Sequence, residues 1–191
     1  MILCLLIKSA LTILVNIIGI LIVCFALAYS AGPYPLSHHG LGDVAVIIFF
    51  GVVPVTLTCF LQTHSRESLT IALPTSVAVG LLAANVLVVN NYRDMEDDAA
   101  VGKHTTVVLL GRRFMSGAYF LSGILGMAIM MSVWISLPMW SFLIPIVYLV
   151  LHSKTWWMLR KSEGAALNPI LGKTAMNLLM FALMFFVASF F

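Results

Sequence analysis

A chain of 191 residues has room for one domain, and 62% of this one is hydrophobic while only 9% is charged. Soluble domains carry about a quarter charged residues, so an aqueous globule is excluded and an integral membrane protein, with the lipid bilayer as its solvent, is expected. The net charge of +3 comes from ten Lys and Arg scattered between apolar runs, which excludes a nucleic-acid surface.

The first apolar run long enough to span a bilayer is 11–28. Ala26-Leu27-Ala28 mimics a signal-cleavage site, but the segment before Lys8 is greasy rather than basic, which disfavours a secretory leader. A turn-rich loop follows, from Gly32-Pro33-Tyr34-Pro35 to His38-His39-Gly40. The second span is 44–61, with Pro54 inside it, and the third is 69–89, with Pro74 in its first turns, where proline is tolerated. A polar segment, 92–113, separates it from the fourth span, 114–135, whose Gly117, Gly123 and Gly126 permit close helix contacts. Pro138 breaks the chain. The fifth span is 140–158, with Trp140, Trp156 and Trp157 as interfacial anchors, and the sixth is 174–191. Cys4, Cys24 and Cys59 lie in or beside apolar runs without metal-ligand spacing and read as packing residues. The expected fold is all-α: a polytopic transmembrane helix bundle of about six spans.

With six spans, the loops after the first, third and fifth share one side. They hold Arg93, Lys103, Arg112, Arg113, Lys154, Arg160, Lys161 and Lys173, against Lys8 and Arg66 on the other, an imbalance of eight to two. Because cytoplasmic loops collect Lys and Arg, the segment after the third span is expected in the cytoplasm, with the protein in the cell's inner (plasma) membrane and both termini outside.

That segment concentrates the chain's negative charge. Of seven acidic residues, four (Asp94, Glu96, Asp97 and Asp98) follow within a few positions of the third span. Asn90, Asp94 and Asp98 are four apart and stack on one face of a helix. Carboxylates so placed repel, unless a divalent cation lies between them. Mg2+ uses one or two carboxylates and completes its shell with water and substrate phosphate oxygens. The alternative is a wet loop between membrane helices, and spacing alone leaves the two readings level. A calcium loop fits poorly, since its sixth position is Ala99 and its twelfth Thr105.

Asn90-x-x-x-Asp94-x-x-x-Asp98, followed by Gly102-Lys103-x-Thr105 and Val107-Val108-Leu109-Leu110-Gly111, resembles the second aspartate-rich motif of the intramembrane aromatic prenyltransferases, the UbiA superfamily. Asn90-Asn91-x-Arg93-Asp94 resembles its menaquinone branch, the 1,4-dihydroxy-2-naphthoate polyprenyltransferases. Tyr34-Pro35 with Gly40-Leu41-Gly42-Asp43, and Leu167-Asn168-Pro169 with Lys173-Thr174-Ala175, are similar to the loop after that family's fourth helix and to the entry of its last. The resemblance implies a nine-helix fold with two aspartate motifs. It makes the six spans helices four to nine, so that the chain reads as one membrane domain, 1–191, lacking three N-terminal helices and the first motif, as a fragment or a misannotated start.

The activity implied by the resemblance is Mg2+-dependent transfer of a polyprenyl group from its diphosphate to 1,4-dihydroxy-2-naphthoate, giving demethylmenaquinone. Asp94 and Asp98 are the expected metal ligands, Asn90 orients a ligand or phosphate, and Lys103 contacts the diphosphate. Arg93 is a weaker substrate contact because it faces off the Asp94 stripe. Tyr34 and Asp43 line the aromatic pocket only by resemblance. Glu96 and Asp97 are read as solvated, and His38, His39 and His104 as interfacial polar residues. Two other classes remain: a membrane transporter, which would favour charges near the bilayer midplane and paired broken helices, and a non-catalytic membrane fragment.

Overall fold

The computed structural model describes the backbone at residues 2–30, 35–65 and 67–191. It is helical throughout, with no strand among the described residues. Helix α1 is Ile2–Ser30, α2 is Gly42–Val46, α3 is Val53–Thr63, α4 is Leu69–Arg93, α5 is Met95–Ala100, α6 is Thr106–Ile129, α7 is Met131–Ser136, α8 is Leu143–Leu159 and α9 is Asn168–Ala188. A π-helical stretch, Ile47–Val52, welds α2 to α3. Among the described residues, five continuous helical segments are long and apolar enough to cross a membrane: Gly42–Thr63, Leu69–Arg93, Thr106–Ser136, Met139–Leu159 and Gly164–Ala188. Within α1, Val15–Tyr29 is apolar but shorter. The chain is a multi-pass membrane protein.

α4 is the central post. It packs on the π-helical stretch, α3, α6 and α9, and the first part of its buried face is, Leu82 apart, small and polar: Ala72, Thr75, Ser76, Ala78, Gly80, Ala84 and Asn85. Gly80 and Gly51 bring the α4 and π-helical backbones together, and a Cβ on either would run into the other helix. Lipid tails are as apolar as leucine, so helices in a bilayer associate through such close packing and through shared hydrogen bonds.

The hydrogen bonds form a belt inside the bundle. Tyr119 and Thr174 share a bond of 3.1 Å, Ser122 donates to Asn85 Oδ1 at 2.7 Å, and Asn177 Nδ2 donates to Thr155 at 2.9 Å. The His152 ring stacks on Tyr119, with centroids 4.6 Å apart, and its Nε2 lies 3.0 Å from the Tyr119 carbonyl oxygen. Gly123 makes room for that ring, whereas Gly117 meets nothing within 4 Å and has no packing role. Gly126 sits against Leu82 and Ala78. Two apolar clusters flank the belt: one around Met130, Trp134, Tyr148 and Phe181, the other around Val89, Tyr92, Val107, Tyr119, Leu159, Leu167 and Ile170.

Three helix starts differ from the sequence expectation, the first being that of α1, at Ile2 rather than at 11. The fourth span begins at Thr106 rather than at 114, because Thr105 caps it, its hydroxyl oxygen accepting from the Val108 amide at 3.3 Å. The apolar run Val107–Leu110 is thus a first helical turn, bent from the rest at Gly111 (φ 80°, ψ 158°). The sixth begins at Gly164 rather than at 174, with Pro169 in the first turn of α9, where its missing N–H is not needed.

Candidate functional site

The segments after α1, α4 and α8 meet at one end of the bundle. The His104 amide donates to the His38 carbonyl at 2.9 Å, and Arg93 Nη1 donates to Asn168 Oδ1 at 2.9 Å. This gathers one loop, the end of α4 and the start of α9 over the second apolar cluster.

The acidic stretch sits at this junction. α4 ends at Arg93, and Asp94 (φ −93°, ψ 10°) hinges it to α5. The hydrogen-bond ladder survives the hinge: the Asp94 amide bonds the Asn90 carbonyl at 3.0 Å and the Asp98 amide bonds the Asp94 carbonyl at 2.8 Å. Asn90, Asp94 and Asp98 therefore keep their i, i+4 relation. Asp98 is buried, with Oδ1 accepting from Lys103 Nζ at 3.0 Å and Oδ2 buried without a partner among the described residues. Glu96 is 83% exposed at its side chain, where Arg112 pairs with it at 3.2 Å, and Asp97 is exposed. Asp98 and Asp97 thus separate as helical phase requires.

Arg93 departs from the expectation. Its guanidinium does not face away from the Asp94 stripe but curls back over it. Nε and Nη2 clasp the two Asp94 oxygens at 2.6 and 2.8 Å, Nη2 also reaches Asn90 Oδ1 at 3.0 Å, and Nη1 reaches Asn168. The hydrogen bond and charge of Arg93, with the charge of Lys103 behind them, hold the Asp94 carboxyl below its usual range. It is therefore ionised at neutral pH.

Beside this cluster is a polar cavity of about 220 Å³ whose lining includes Asp43, Asn90, Asn91, Lys103, Thr105 and Thr106. Tyr29 and Leu87 in its wall also line an apolar groove of about 490 Å³ with Phe25, Phe49 and Phe50. Leu87 and Asn90 are shared with a second apolar groove that runs to Leu171 and Leu178. A charged, hydrogen-bonding chamber thus abuts two greasy ones, which is the shape an amphiphile with an anionic head needs.

Of the residues singled out from sequence, Asn90 and Lys103 line the chamber, while Asp94 and Asp98 stand beside it, tied to it through Arg93 and Lys103. Tyr34 lies outside the described residues. Asn168 and Thr106 were not singled out. Asn168 appeared only within the Leu167-Asn168-Pro169 signature, and Thr106 carried no signal until Thr105 fixed the helix start. As a donor set, two hard carboxylates at i, i+4, one with an orphaned buried oxygen, fit a Mg2+ ion that takes its other ligands from water and phosphate. No group of three or more His, Cys, Asp or Glu that could hold a metal occurs among the described residues.

A model of the UbiA prenyltransferase family matches residues 1–180. A 1,4-dihydroxy-2-naphthoate octaprenyltransferase of Escherichia coli is 33% identical over 178 residues, covering 91% of this chain and 56% of that protein. One from Haemophilus influenzae is 48% identical over 94 residues, 49% of this chain and 30% of its own length, and one from Mycobacterium tuberculosis 34% over 119 residues, 60% and 40%. The chain thus spans about a third to a little over half of the length of these relatives. No solved structure matches it.

Proposed function

The chain belongs to the UbiA prenyltransferase family, and from that premise we propose that it forms the C-terminal part of an inner-membrane enzyme. That enzyme transfers a polyprenyl group from its diphosphate to the carboxyl-bearing ring carbon of 1,4-dihydroxy-2-naphthoate, releasing diphosphate and CO2 and leaving the hydroquinone that oxidises to demethylmenaquinone for menaquinone biosynthesis. The observation that carries this reading is the polar chamber joined to apolar grooves, with Asn90 and Lys103 in its wall and two carboxylates beside it. The names of the relatives support the choice of acceptor.

In this reading Asp94 and Asp98 hold Mg2+, which when bound supplies Lewis-acid neutralisation of the departing diphosphate. Lys103 offers its ammonium to a phosphate oxygen, sharing its charge between Asp98 and the leaving group. The amides of Asn90 and Asn91 fix the head group's orientation. Arg93, held by Asp94, Asn90 and Asn168, orients the Asp94 carboxylate and sets a positive charge beside the head group. Phe25, Phe49, Phe50 and Leu87 hold the isoprenoid and keep water from the allylic cation that forms as the C–O bond breaks. A second set of ligands, facing this one, is supplied by residues outside the sequence, and the acidic end faces the cytoplasm.

Two measurements test the reading. The first is binding of polyprenyl diphosphate to the chain in membranes with and without Mg2+. The second is demethylmenaquinone formation when the N-terminal helices of the Escherichia coli relative are fused ahead of residue 1. Mg2+-dependent binding that is lost in Asp98→Asn and Lys103→Ala, with product from the fusion, is expected. Binding indifferent to Mg2+ and to both substitutions would overturn it.

A further inference from the structure

We infer that the carboxylate of Asp43 is the hydrogen-bond acceptor for a ring hydroxyl of the aromatic co-substrate. The inference rests on the prenyl-transfer reading above and adds to it a residue and a demand on the substrate. Asp43 stands in the first turn of α2, and its Oδ2 accepts from the hydroxyl of Thr106 at the start of α6. Its other oxygen, Oδ1, is buried and has no hydrogen-bond partner among the described residues. Both residues line the polar chamber with Asn90 and Lys103.

A buried carboxylate oxygen without a donor loses its hydration and gains nothing in return, so native structures rarely leave one. The orphan therefore marks where a donor arrives. The chamber's own cation, Lys103, is already engaged by Asp98 at 3.0 Å. Of the two co-substrates, the diphosphate is ruled out as that donor: its oxygens only accept, and its charge repels Asp43. A hydroxylated aromatic ring has the O–H that fits. The chamber is thus divided by charge, with Lys103 and Asn90 for the phosphates and Asp43 for the phenol. Thr106 is a positioning residue, since by taking Oδ2 it leaves Oδ1 as the free acceptor. A hydroxyl that donates to a carboxylate in a poorly solvated site sends electron density into its ring, which enriches the carbon that attacks the allylic group. The hydroxyl keeps its proton in this bound state, so no proton transfer is invoked.

The test measures equilibrium binding to the full chain in membranes, with 1,4-dihydroxy-2-naphthoate, its 1,4-dimethoxy analogue and a polyprenyl diphosphate with Mg2+ as probes. The wild type is expected to prefer the dihydroxy compound by about 10- to 100-fold, the range of one hydrogen bond to a charged group. Asp43→Asn, which keeps an acceptor but removes its charge, should lower that preference several-fold while leaving diphosphate affinity within about twofold. Thr106→Val should lower the preference several-fold in the same direction. An undiminished preference in Asp43→Asn overturns the assignment, and so does an equal loss of diphosphate binding. Should Asp43→Asn fail to accumulate, an unchanged preference in Thr106→Val overturns it. A wild type that binds neither the dihydroxy compound nor the diphosphate overturns the prenyl-transfer reading and this assignment together, whereas binding of both with no effect of Asp43→Asn overturns this assignment alone.

Discussion

At the scale of single residues, the acidic stretch sorts its carboxylates by helical phase. Asp98 is turned inward and paired with Lys103, while Asp97, one residue and about 100° away, is exposed. In an enzyme carrying both halves of the site, Asp94→Asn and Asp98→Asn are therefore each expected to lower the rate of prenyl transfer by about 100-fold or more, the loss typical of removing one charge-stabilising group. Asp97→Asn should stay close to the wild-type rate. Steady-state demethylmenaquinone formation at saturating Mg2+ checks this, and a damaging Asp97→Asn beside two tolerated neighbours would refute the phase argument. Phase was legible in the sequence because it depends only on spacing. The position of the Arg93 guanidinium was not: the Cα of Arg93 lies off the stripe, but its long side chain folds back across a turn to reach Asp94, Asn90 and Asn168. Neither spacing nor composition reports which rotamer a flexible side chain selects, nor that a residue 75 positions later will stand within its reach.

At the scale of the element, glycines in one helix have opposite meanings, which gives a sharp comparison. Gly111 holds φ 80° and ψ 158° inside α6, a conformation that L side chains reach only at a cost of about 1–3 kcal/mol. Gly111→Ala should destabilise the protein by that amount. Gly117 meets nothing within 4 Å, and Gly117→Ala should be neutral or stabilise by up to about 1 kcal/mol through helix propensity. Gly123 lies against the His152 ring, which is stacked on Tyr119 and cannot retreat, so Gly123→Ala should cost about 1–3 kcal/mol through overpacking. Thermal unfolding of the three variants in one detergent ranks them, and equal midpoints for Gly117→Ala and Gly123→Ala would refute the packing account. Sequence placed the body of every long helix by its apolar run, yet set three helix starts late. The two later ones depend on a threonine cap and a proline in a first turn, which act locally and leave no trace in a hydrophobic average. The polar belt did have a signal, since Tyr148, His152 and Thr155 recur at helical spacing. Each of the three is unremarkable alone, and only their shared face carries the meaning.

At the scale of the whole molecule, the charge asymmetry predicts that the end where the loops meet faces the cytoplasm. Single cysteines at Ala99 and Glu67, both exposed, should label from opposite sides of sealed cells, with only Glu67→Cys reached from outside. Outside labelling of Ala99→Cys would invert the topology. The same scale governs turnover. No group of three potential metal ligands exists among the described residues, and the prenyl-transfer reading rests its metal on Asp94 and Asp98 alone. Residues 1–191 expressed alone are accordingly expected to form demethylmenaquinone at least about 100-fold more slowly than a full-length relative, for want of facing charge stabilisation. Comparable turnover would show that one set of ligands suffices or that two copies pair theirs. The helical, membrane-embedded class was legible from composition alone. How three distant segments converge was not, because convergence belongs to tertiary packing.

The bond from Arg93 to Asn168 also has a consequence for biogenesis. Ribosomes add about 5–20 residues per second, so the 75 residues between these partners take roughly 4–15 seconds to emerge. During that interval α4 can already lie in the bilayer with the Arg93 fork one partner short, and the bond that docks the last helix on α4 has yet to form. Assembly of the acidic end is therefore deferred until α9 has been threaded. A nascent chain arrested before residue 168 lacks both this bond and the packing of α9 on α4 and α8.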